Sequence, residues 1–178
     1  MIDVHVLTHS GTKPEWLAQC LRSLDGEPVI VHVVEGVEGS VGAGRAKGFP
    51  LGTCEFVAYV DSDDYVVPGG YAKSLAAMAS HRCVVPREYV EYTDGRRHKY
   101  TKSGHNGVVY RREDILPLLP AMQAAPYAVD RMTRMTLAPT QLDHVGYVWR
   151  VHKQGAHHLL TTETTEREKA AWLLTAPQ

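Results

Sequence analysis

Alternating strand and helix patterns in the first half of the chain constrain its fold more than any other feature of the sequence. Short runs rich in β-branched residues, typical of strands, alternate with segments whose apolar residues recur at helical spacing. The predicted strands are Val4–Leu7, Val29–Val34 and Glu55–Val60, and the predicted helices are Pro14 to about Leu24 and one that opens at Pro68. This order predicts an α/β fold with a mostly parallel central sheet flanked by helices, and a ligand crevice at the carboxyl ends of the strands.

The second half of the chain predicts shorter strands and antiparallel additions to the sheet. The Asp94-Gly95 dipeptide is typical of a hairpin turn. The strands predicted here are Cys83–Val85, Tyr89–Tyr92, Lys99–Thr101, Val108–Tyr110 and Val145–Val151. The predicted helices are about Arg112–Ala124, Pro126–Leu137 and about Thr164–Leu174. The tail residues Trp172, Leu173 and Leu174 are expected to cover the core or a partner subunit.

The composition excludes several classes of protein. The chain has 178 residues, a formal net charge of -1 and three cysteines, Cys20, Cys54 and Cys83, set among apolar neighbours. An odd number of widely spaced cysteines favours core thiols of a reducing compartment over disulfides or a zinc site. The near-zero charge argues against a global field for nucleic acid or anionic membranes. With no signal-peptide pattern and no apolar run near the ~20 residues of a membrane span, we expect a soluble, cytoplasmic protein.

The run Asp61-Ser62-Asp63-Asp64 places three carboxylates in four positions, directly after the apolar run Phe56–Val60. Carboxylates this close raise one another's pKa unless a cation or a hydrogen-bonding shell offsets their repulsion. Hard divalent cations are held by one or two carboxylates, with substrate phosphates and water completing the coordination. For the motif in isolation an acidic turn is the simpler interpretation, because Asp and Ser favour turns. The surrounding sequence decides between the two.

Placed in this order, the segments resemble the GT-A fold glycosyltransferases, especially the inverting family 2 type, from Val4 to about His158. The acidic run is similar to the DXD-type motif of that family and is the most specific piece. The other pieces are Val4–Thr8 with the helix after it, Val31–Glu35, Gly42–Gly48, His105–Glu113, Val129-Asp130 and Tyr147–Gly155. The resemblance implies a single-domain GT-A (nucleotide-diphospho-sugar transferase) fold over 1–178, with a nucleotide-sugar-binding half at 1–82, an acceptor-side half at 83–160 and a C-terminal helix at 161–178.

For the donor, the resemblance implies that Asp61 faces the ribose or base of the nucleotide, whereas Asp63 holds the metal that bridges the diphosphate. Arg45 is expected either to meet phosphate or to hold the acidic loop, and the glycines around it permit close approach of the backbone. Asp64 is expected to support either role. The full set of expected nucleotide-binding residues is Thr8, His9, Glu35, Arg45, Asp61 and Ser62.

On the acceptor side, the resemblance implies that Asp130 is the general base, although Val129 stands where the family often has a first acid. The stretch His105–Glu113 is similar to the acceptor-side strand, and Tyr147–Gly155 is similar to the closing strand. The histidine of that strand, His152, is expected to complete the metal shell or touch phosphate. The expected acceptor or phosphate contacts are Asn106, Arg111 and Arg150.

Together these residues imply a metal-dependent inverting glycosyltransferase of the hexosyltransferase type. The implied donor is a nucleoside-diphosphate sugar, with a UDP-sugar as the first candidate, and the implied cofactor is Mn²⁺ or Mg²⁺. The metal neutralises the departing diphosphate, and Asp130 accepts the proton of the acceptor hydroxyl. A single attack from the far face of the sugar inverts its anomeric configuration.

Two classes of acceptor stay open, a saccharide and a hydroxymethylated pyrimidine in DNA. Between Arg87 and Arg112 there are seven basic residues against three acidic ones, interleaved with tyrosines. Such a pattern is able to grip a phosphate backbone and stack bases. A solvated hairpin with core tyrosines is the simpler interpretation. The short chain leaves little room for a large saccharide-binding lobe, which keeps the DNA alternative open.

Three other functions fit parts of the sequence. A haloacid-dehalogenase-type phosphatase places its acidic motif after the first strand, whereas two strand patterns precede the motif here. A sugar nucleotidyltransferase has a glycine-rich basic loop after its first strand, of which Thr8–Lys13 is a faint version. A nucleotide-sugar-binding protein without turnover is the third alternative, because Val129 replaces an acid.

Overall fold

The computed structural model describes residues 1–99, 104, 106–152 and 162–177. Within them the strands are Ile2–Thr8 (β1), Val29–Glu35 (β2), Phe56–Asp61 (β3), Tyr65–Val66 (β4), Cys83–Tyr92 (β5), Arg97–Lys99 (β6), Val109–Arg111 (β7) and Thr140–Val151 (β8). The α-helices are Pro14–Ser23 (α1), Val41–Gly48 (α2), Gly70–Ala77 (α3), Arg112–Ile115 (α4), Leu119–Ala124 (α5), Val129–Leu137 (α6) and Thr162–Thr175 (α7). A 3₁₀ turn, Leu116–Leu118, joins α4 to α5.

The strands form one mixed sheet in the order β2-β1-β3-β7-β5-β8-β4, with β6 paired to β5 beside this path. Strand β1 pairs in parallel with β2 and β3, so that Val4 lies opposite Val31 and Ala58. Strand β7 is antiparallel to both β3 and β5, and β4 is antiparallel to β8. The α/β fold is confirmed. The first half forms parallel pairs and β4, β6 and β7 form antiparallel pairs, as predicted, but β5 and β8 of the second half pair in parallel.

Two apolar cores cover the two faces of the sheet, because successive residues of a strand point to opposite sides. In β3, Val57 and Tyr59 belong to one core, and Ala58 and Val60 belong to the other. Helices α2, α5, α6 and α7 contribute to the first core, and α1 and α3 to the second. The three cysteines are free; Cys20 and Cys83 lie in the cores, as predicted, whereas Cys54 is half-buried and lies in neither core. None of the helices in the described part of the chain is both long and apolar enough to cross a membrane.

The glycine-rich segment forms a helix, α2, which the sequence patterns did not predict. Ser40 caps it, since its hydroxyl accepts a hydrogen bond from Ala43 N at 3.1 Å. A Cβ added to Gly42 would lie 2.0 Å from the Met122 carbonyl oxygen, and one on Gly48 would lie 2.4 Å from the His5 ring. The glycines therefore let α2 lie close against α5 and β1.

Prolines explain two further differences from the predicted elements. The strands predicted at Cys83–Val85 and Tyr89–Tyr92 are one strand, β5, whose register against β8 shifts around Pro86, which has no N–H to donate. The helix predicted at Arg112–Ala124 is broken by the 3₁₀ turn containing Pro117. Part of the strand predicted at Lys99–Thr101 lies outside the described residues.

The C-terminal helix begins two residues before its predicted start and ends one residue after its predicted end. Trp172 is buried in the first core, and its indole nitrogen donates a hydrogen bond to Thr136 Oγ1 of α6 at 3.1 Å. Leu173 and Leu174 are exposed instead of covering the core of this chain. Only one of the three tail residues therefore caps the core.

Candidate active site

A cleft of about 1060 Å³ opens at the carboxyl ends of β1, β2 and β3, where the α/β pattern predicted it. Its walls come from the loops after these strands, from the start of α6 and from the end of β8. The predicted site residues that line it are Thr8, His9, Glu35, Asp61, Ser62, Asp63, Asn106, Asp130 and Arg150. The structure thus gathers side chains that are far apart in sequence around one cavity.

Arg45 links the acidic loop to the predicted base. It is fully buried in α2, where its guanidinium stacks 3.5 Å above the Tyr59 ring. Its Nη2 donates to Asp61 Oδ1 at 2.6 Å and to Asp130 Oδ2 at 3.3 Å, and its Nε donates to Asp130 Oδ1 at 3.2 Å. Of the two roles predicted for Arg45, this geometry corresponds to holding the acidic loop.

Asp61 lies on the floor of the cleft, where protein surrounds it although its side chain is 32% exposed to the cavity. Burial raises the pKa of the Asp61 carboxyl to about 6, Arg45 opposes this shift, and the negative charges of Asp130 and Asp63 add to it. Burial and the neighbouring negative charges therefore outweigh the compensation that Arg45 gives to Asp61. Perturbed acids of this kind concentrate at functional sites.

Asp63 faces His152, with Oδ2 2.6 Å from Nε2. Burial raises the pKa of the Asp63 carboxyl, but the hydrogen bond and charge of His152 outweigh burial and leave that pKa below its ordinary value. The His152 ring packs against the Trp16 ring at 4.8 Å between centroids, which fixes its orientation. The described residues hold no group of three or more His, Cys, Asp or Glu side chains suited to one metal ion. Asp63 and His152 are thus a two-donor set at most.

Asp64 lies at the base of the cleft wall and braces the acidic loop against β8. It is 2% exposed, and its two oxygens accept hydrogen bonds from the Tyr147 hydroxyl at 2.9 Å and from Arg150 N at 2.7 Å. Burial, together with the charge of Asp63, raises the pKa of its carboxyl well above the ordinary value. Arg150 completes the brace, because its guanidinium donates to the Asp63 carbonyl at 2.5 Å and to Gln19 Oε1 at 2.6 Å.

The loop after β1 forms the wall of the cleft beside the acidic loop. Ser62 Oγ lies 3.0 Å from Thr12 Oγ1, which also accepts a hydrogen bond from His9 N at 2.8 Å. Thr8 and Glu35 end the neighbouring strands β1 and β2 and pair in register. These contacts bring the residues predicted to bind the nucleotide to one wall.

Helix α7 positions the start of α6, which carries Asp130 in its first turn. Glu168 of α7 is 2% exposed, and its Oε2 accepts hydrogen bonds from Tyr127 N at 2.9 Å and Ala128 N at 2.7 Å. Val129 is 1% exposed and packs in the first core, so the replacement of an acid there removes no group from the cleft. No sequence pattern distinguishes Glu168 from its neighbours Glu163 and Glu166, and it lies 40 residues after Ala128.

The structure corrects the placement of Arg111, which lies away from the cleft. Its guanidinium contacts the Glu55 carboxylate and donates to the Met78 carbonyl oxygen at 3.3 Å. The reason is strand direction: β7 is antiparallel to β3, and Arg111 pairs with Phe56 at the end opposite the acidic loop. Asn106, by contrast, lines the cleft and is buried.

Several residues that the sequence did not single out also line the cleft. They are Leu7, Val33, Tyr127, Arg131, Arg134 and Trp149, among others. Arg131 and Arg134 belong to the helix predicted at Pro126–Leu137, and the sequence assigned them no role. Only the position of α6 beside the cavity distinguishes them from other surface arginines.

No protein-family model and no curated protein matches this sequence. Solved structures do match. S. aureus TarS 1-349 in complex with UDP-GlcNAc gives a TM-score of 0.70 at 16% identity, covering 99% of this chain and 67% of that one. The chain covers 40% of a longer TarS structure.

Two more structures agree with this likeness. The mannosyltransferase PcManGT from Pyrobaculum calidifontis, in complex with GDP-Man and Mn²⁺, gives a TM-score of 0.63 at 14% identity, over 89% of this chain and 59% of that one. GalNAc-T7 with UDP, GalNAc and Mn²⁺ gives 0.61 at 12% identity, over 87% of this chain and 44% of that one. The fold of this chain is therefore the GT-A fold of glycosyltransferases, as the resemblance in its sequence predicts.

Proposed function

We propose that this chain is a metal-dependent inverting glycosyltransferase that moves a hexosyl group from a nucleoside-diphosphate sugar to an acceptor hydroxyl. A UDP-sugar is the first candidate for the donor. The observation that carries the proposal is one cleft, at the carboxyl ends of the parallel strands, lined by both the acidic loop and Asp130. Matching GT-A structures contain UDP-GlcNAc, GDP-Man or UDP, and two of them contain Mn²⁺.

Asp63 and His152 are the residues that would hold Mn²⁺ or Mg²⁺. Their facing carboxylate oxygen and imidazole nitrogen, 2.6 Å apart, are close enough to serve one ion. Two side-chain donors suit a metal whose remaining ligands are diphosphate oxygens and water. When bound, the metal supplies positive charge for the departing nucleoside diphosphate.

Asp130 is the proposed base. Its side chain is 27% exposed toward the cleft, and both oxygens are oriented by Arg45. The acceptor oxygen forms a bond to the anomeric carbon as the bond from that carbon to the diphosphate breaks, and the hydroxyl proton passes to Asp130. Inversion of the anomeric centre requires a base on the face of the sugar opposite the departing diphosphate, and we assign that position to Asp130.

The acceptor is better assigned to a class other than DNA. Five of the seven basic residues between Arg87 and Arg112 form ion pairs with acids of the protein. The pairs are Arg87 with Asp143, Arg96 with Asp94, Arg97 with Glu91, Arg111 with Glu55 and Arg112 with Asp3. The phosphatase alternative also loses support, because the acids follow the third strand of a GT-A sheet.

The test is calorimetric titration with a panel of UDP-, GDP- and dTDP-sugars in the presence and absence of Mn²⁺, with donor hydrolysis followed in parallel. We expect metal-dependent binding of one donor and slow hydrolysis. Asp63→Ala should abolish the metal-dependent part of binding, whereas Asp130→Asn should preserve binding and stop turnover. Asp143, whose side chain is 99% exposed, provides the matched Ala and Asn controls.

Two results would decide against the proposal or narrow it. A folded protein that binds no donor in the panel would contradict the glycosyltransferase function. Donor binding without hydrolysis or transfer, unchanged in Asp130→Asn, would favour the alternative of a nucleotide-sugar-binding protein without turnover.

A further inference from the structure

Glu91 of β5 is connected to the acidic loop by two routes, although it does not line the cleft. Its Oε2 accepts a hydrogen bond from the hydroxyl of Tyr65, the residue that directly follows the loop, at 2.7 Å. Its Oε1 lies 3.5 Å from Arg150 Nη2. Arg150 in turn holds the loop, because its Nη1 donates to the Asp63 carbonyl oxygen at 2.5 Å. One carboxylate therefore contacts both the residue after the loop and the arginine that holds it.

The guanidinium of Arg150 is a buried positive charge that Glu91 compensates. The side chain is 6% exposed and lies over the rings of Trp16 and Tyr65, 4.9 and 5.4 Å from their centroids. Its other side-chain acceptor, Gln19 Oε1 at 2.6 Å, is uncharged. Within the residues that the structure describes, Glu91 is the one carboxylate that lies within 4.0 Å of this guanidinium. A buried charge without an opposite charge is strongly destabilising, so this pairing matters.

The Glu91 carboxylate is held in place and kept ionised by its neighbours. Arg97 of β6 donates to Oε2 from Nε at 3.1 Å and from Nη2 at 2.5 Å. Burial raises the pKa of the Glu91 carboxyl, but the hydrogen bonds of Arg97 and Tyr65 and the charges of the two arginines outweigh burial and leave that pKa below its ordinary value. Glu91 is therefore negatively charged at neutral pH.

Without Glu91, the acidic loop itself offers the negative charge that Arg150 would lack. The guanidinium already contacts the main chain of Asp63, and the backbone N of Arg150 donates to Asp64 Oδ1 at 2.7 Å. The Asp63 carboxylate instead faces His152, with Oδ2 2.6 Å from Nε2. A guanidinium drawn to the Asp63 carboxylate would compete with any cation for the same oxygens.

We propose that Glu91 is a positioning residue that holds the charge of Arg150 away from the Asp63 carboxylate and so keeps that carboxylate available to a divalent cation. Arg150 then holds the loop through a carbonyl oxygen while its charge is directed to β5. The role of the cation rests on the glycosyltransferase function proposed above, whereas the electrostatic coupling of Glu91 to Asp63 does not.

The test is the affinity of the full chain for Mn²⁺, measured with and without UDP from the loss of the electron paramagnetic resonance signal of the free ion. Glu91→Gln keeps the size of the side chain and an acceptor oxygen and removes the charge. We expect it to weaken Mn²⁺ binding by at least about fivefold, while UDP affinity at saturating Mn²⁺ matches the wild type. Glu55→Gln, which removes an acid paired with Arg111 away from the cleft, is the matched control.

A double-mutant cycle measures the coupling without metal or donor. The shift of the urea midpoint caused by Asp63→Asn is compared in the wild type and in Glu91→Gln. We expect a larger loss in Glu91→Gln, because Asp63 then supplies the charge that compensates Arg150. A role of Glu91 in packing alone predicts equal shifts.

Two results would each overturn the inference. One is equal affinity of folded Glu91→Gln and the wild type for Mn²⁺, and the other is equal midpoint shifts in the cycle. If Glu91→Gln does not fold by circular dichroism, Arg97→Gln takes its place. That change removes a positive charge that competes for Glu91, so Mn²⁺ affinity should be equal or higher, and weaker binding would overturn the inference.

The same measurements separate this inference from the proposed function. A wild type that binds neither Mn²⁺ nor UDP would contradict the metal-dependent glycosyltransferase, and the cycle would still decide whether Glu91 is coupled to Asp63. Binding of Mn²⁺ and UDP by the wild type, together with additive midpoint shifts, would overturn the role of Glu91 alone.

Discussion

Two acid–arginine clusters lie at opposite ends of the parallel strands, and they differ in how completely their carboxylates are paired. At the amino end of β1, Asp3 accepts hydrogen bonds from Arg112 Nη2 at 2.6 Å and Cys54 N at 2.7 Å, and it lies 2.9 Å from His32 Nε2. Burial raises the pKa of the Asp3 carboxyl, but these partners outweigh burial and leave that pKa below its ordinary value.

At the carboxyl end, two acids share one guanidinium. Arg45 serves both Asp61 and Asp130, and the pKa of Asp61 is raised to about 6. Burial raises the pKa of both Asp3 and Asp61. At the amino end the three partners of Asp3 outweigh burial, whereas at the carboxyl end burial and the charges of Asp130 and Asp63 outweigh Arg45. A fully paired carboxylate stabilises the fold. An incompletely paired carboxylate keeps oxygens directed into the cleft, where they are available for chemistry.

The largest expected effect is that of Arg45→Met. Removing the shared guanidinium leaves Asp61 and Asp130 buried without it, so the free energy of unfolding should fall by about 3–5 kcal/mol. Donor turnover per folded molecule should fall by about 100-fold or more, because both acids lose their orientation. Chemical denaturation and a donor-hydrolysis assay measure the two effects, with the exposed Arg82→Met as control. A loss of stability below about 1 kcal/mol would contradict this role.

Arg112→Met tests the cluster at the amino end of β1, where Asp3 is fully paired. It removes one donor from Asp3 and three backbone contacts with Phe49, Leu51 and Cys54. We expect a loss of about 2–4 kcal/mol in the free energy of unfolding, with UDP affinity unchanged in the folded fraction. A changed UDP affinity in fully folded protein would show that the two ends are coupled.

The pairing of Asp3 also predicts that the free energy of unfolding depends on pH. The folded-state pKa of Asp3 lies below its ordinary value of 3.8, so its stabilising contribution is present above about pH 4 and is lost as the pH falls through the lowered folded-state pKa. The difference in unfolding free energy between the wild type and Asp3→Asn should therefore shrink between about pH 5 and pH 2. A difference that stays constant over this range would mean that Asp3 stabilises the fold without its charge.

Glu168→Ala tests how the base is positioned. Loss of the hydrogen bonds to Tyr127 N and Ala128 N should lower stability by about 1–2 kcal/mol. It should also lower the turnover number about tenfold with KM unchanged, because only Asp130 is displaced. Glu166→Ala, an exposed acid on the same helix, is the control. Equal losses in both variants would argue against a positioning role.

The smallest expected effect is that of Arg111→Met. Its ion-pair partner Glu55 is 63% exposed, and such pairs contribute at most about 1 kcal/mol. UDP affinity and donor turnover should both match the wild type. A clear loss in either of them would restore Arg111 to the acceptor contacts predicted from the sequence.

Local patterns predicted the strands of the first half and the gathering of Thr8, Glu35 and Asp61, because parallel strands end at the same edge of a sheet. They did not predict the bridge from Arg45 to Asp130, which joins residues 85 apart in sequence. That contact depends on how α2 and α6 pack, and no local pattern encodes it. The expectation that Arg111 lies at the cleft failed for a related reason, because a sequence motif does not specify the direction in which its strand runs through the sheet.

Helix α2 has a consequence for how tolerance to mutation would be interpreted. An alanine at Gly42 would place its Cβ 2.0 Å from the Met122 carbonyl oxygen, and one at Gly48 would place its Cβ 2.4 Å from the His5 ring, so the helix would have to move and take Arg45 with it. A saturation mutagenesis scan should therefore find these glycines as intolerant as the acids, although they need not touch any substrate. In this protein, intolerance to substitution reports how closely two backbones approach as well as where the chemistry occurs.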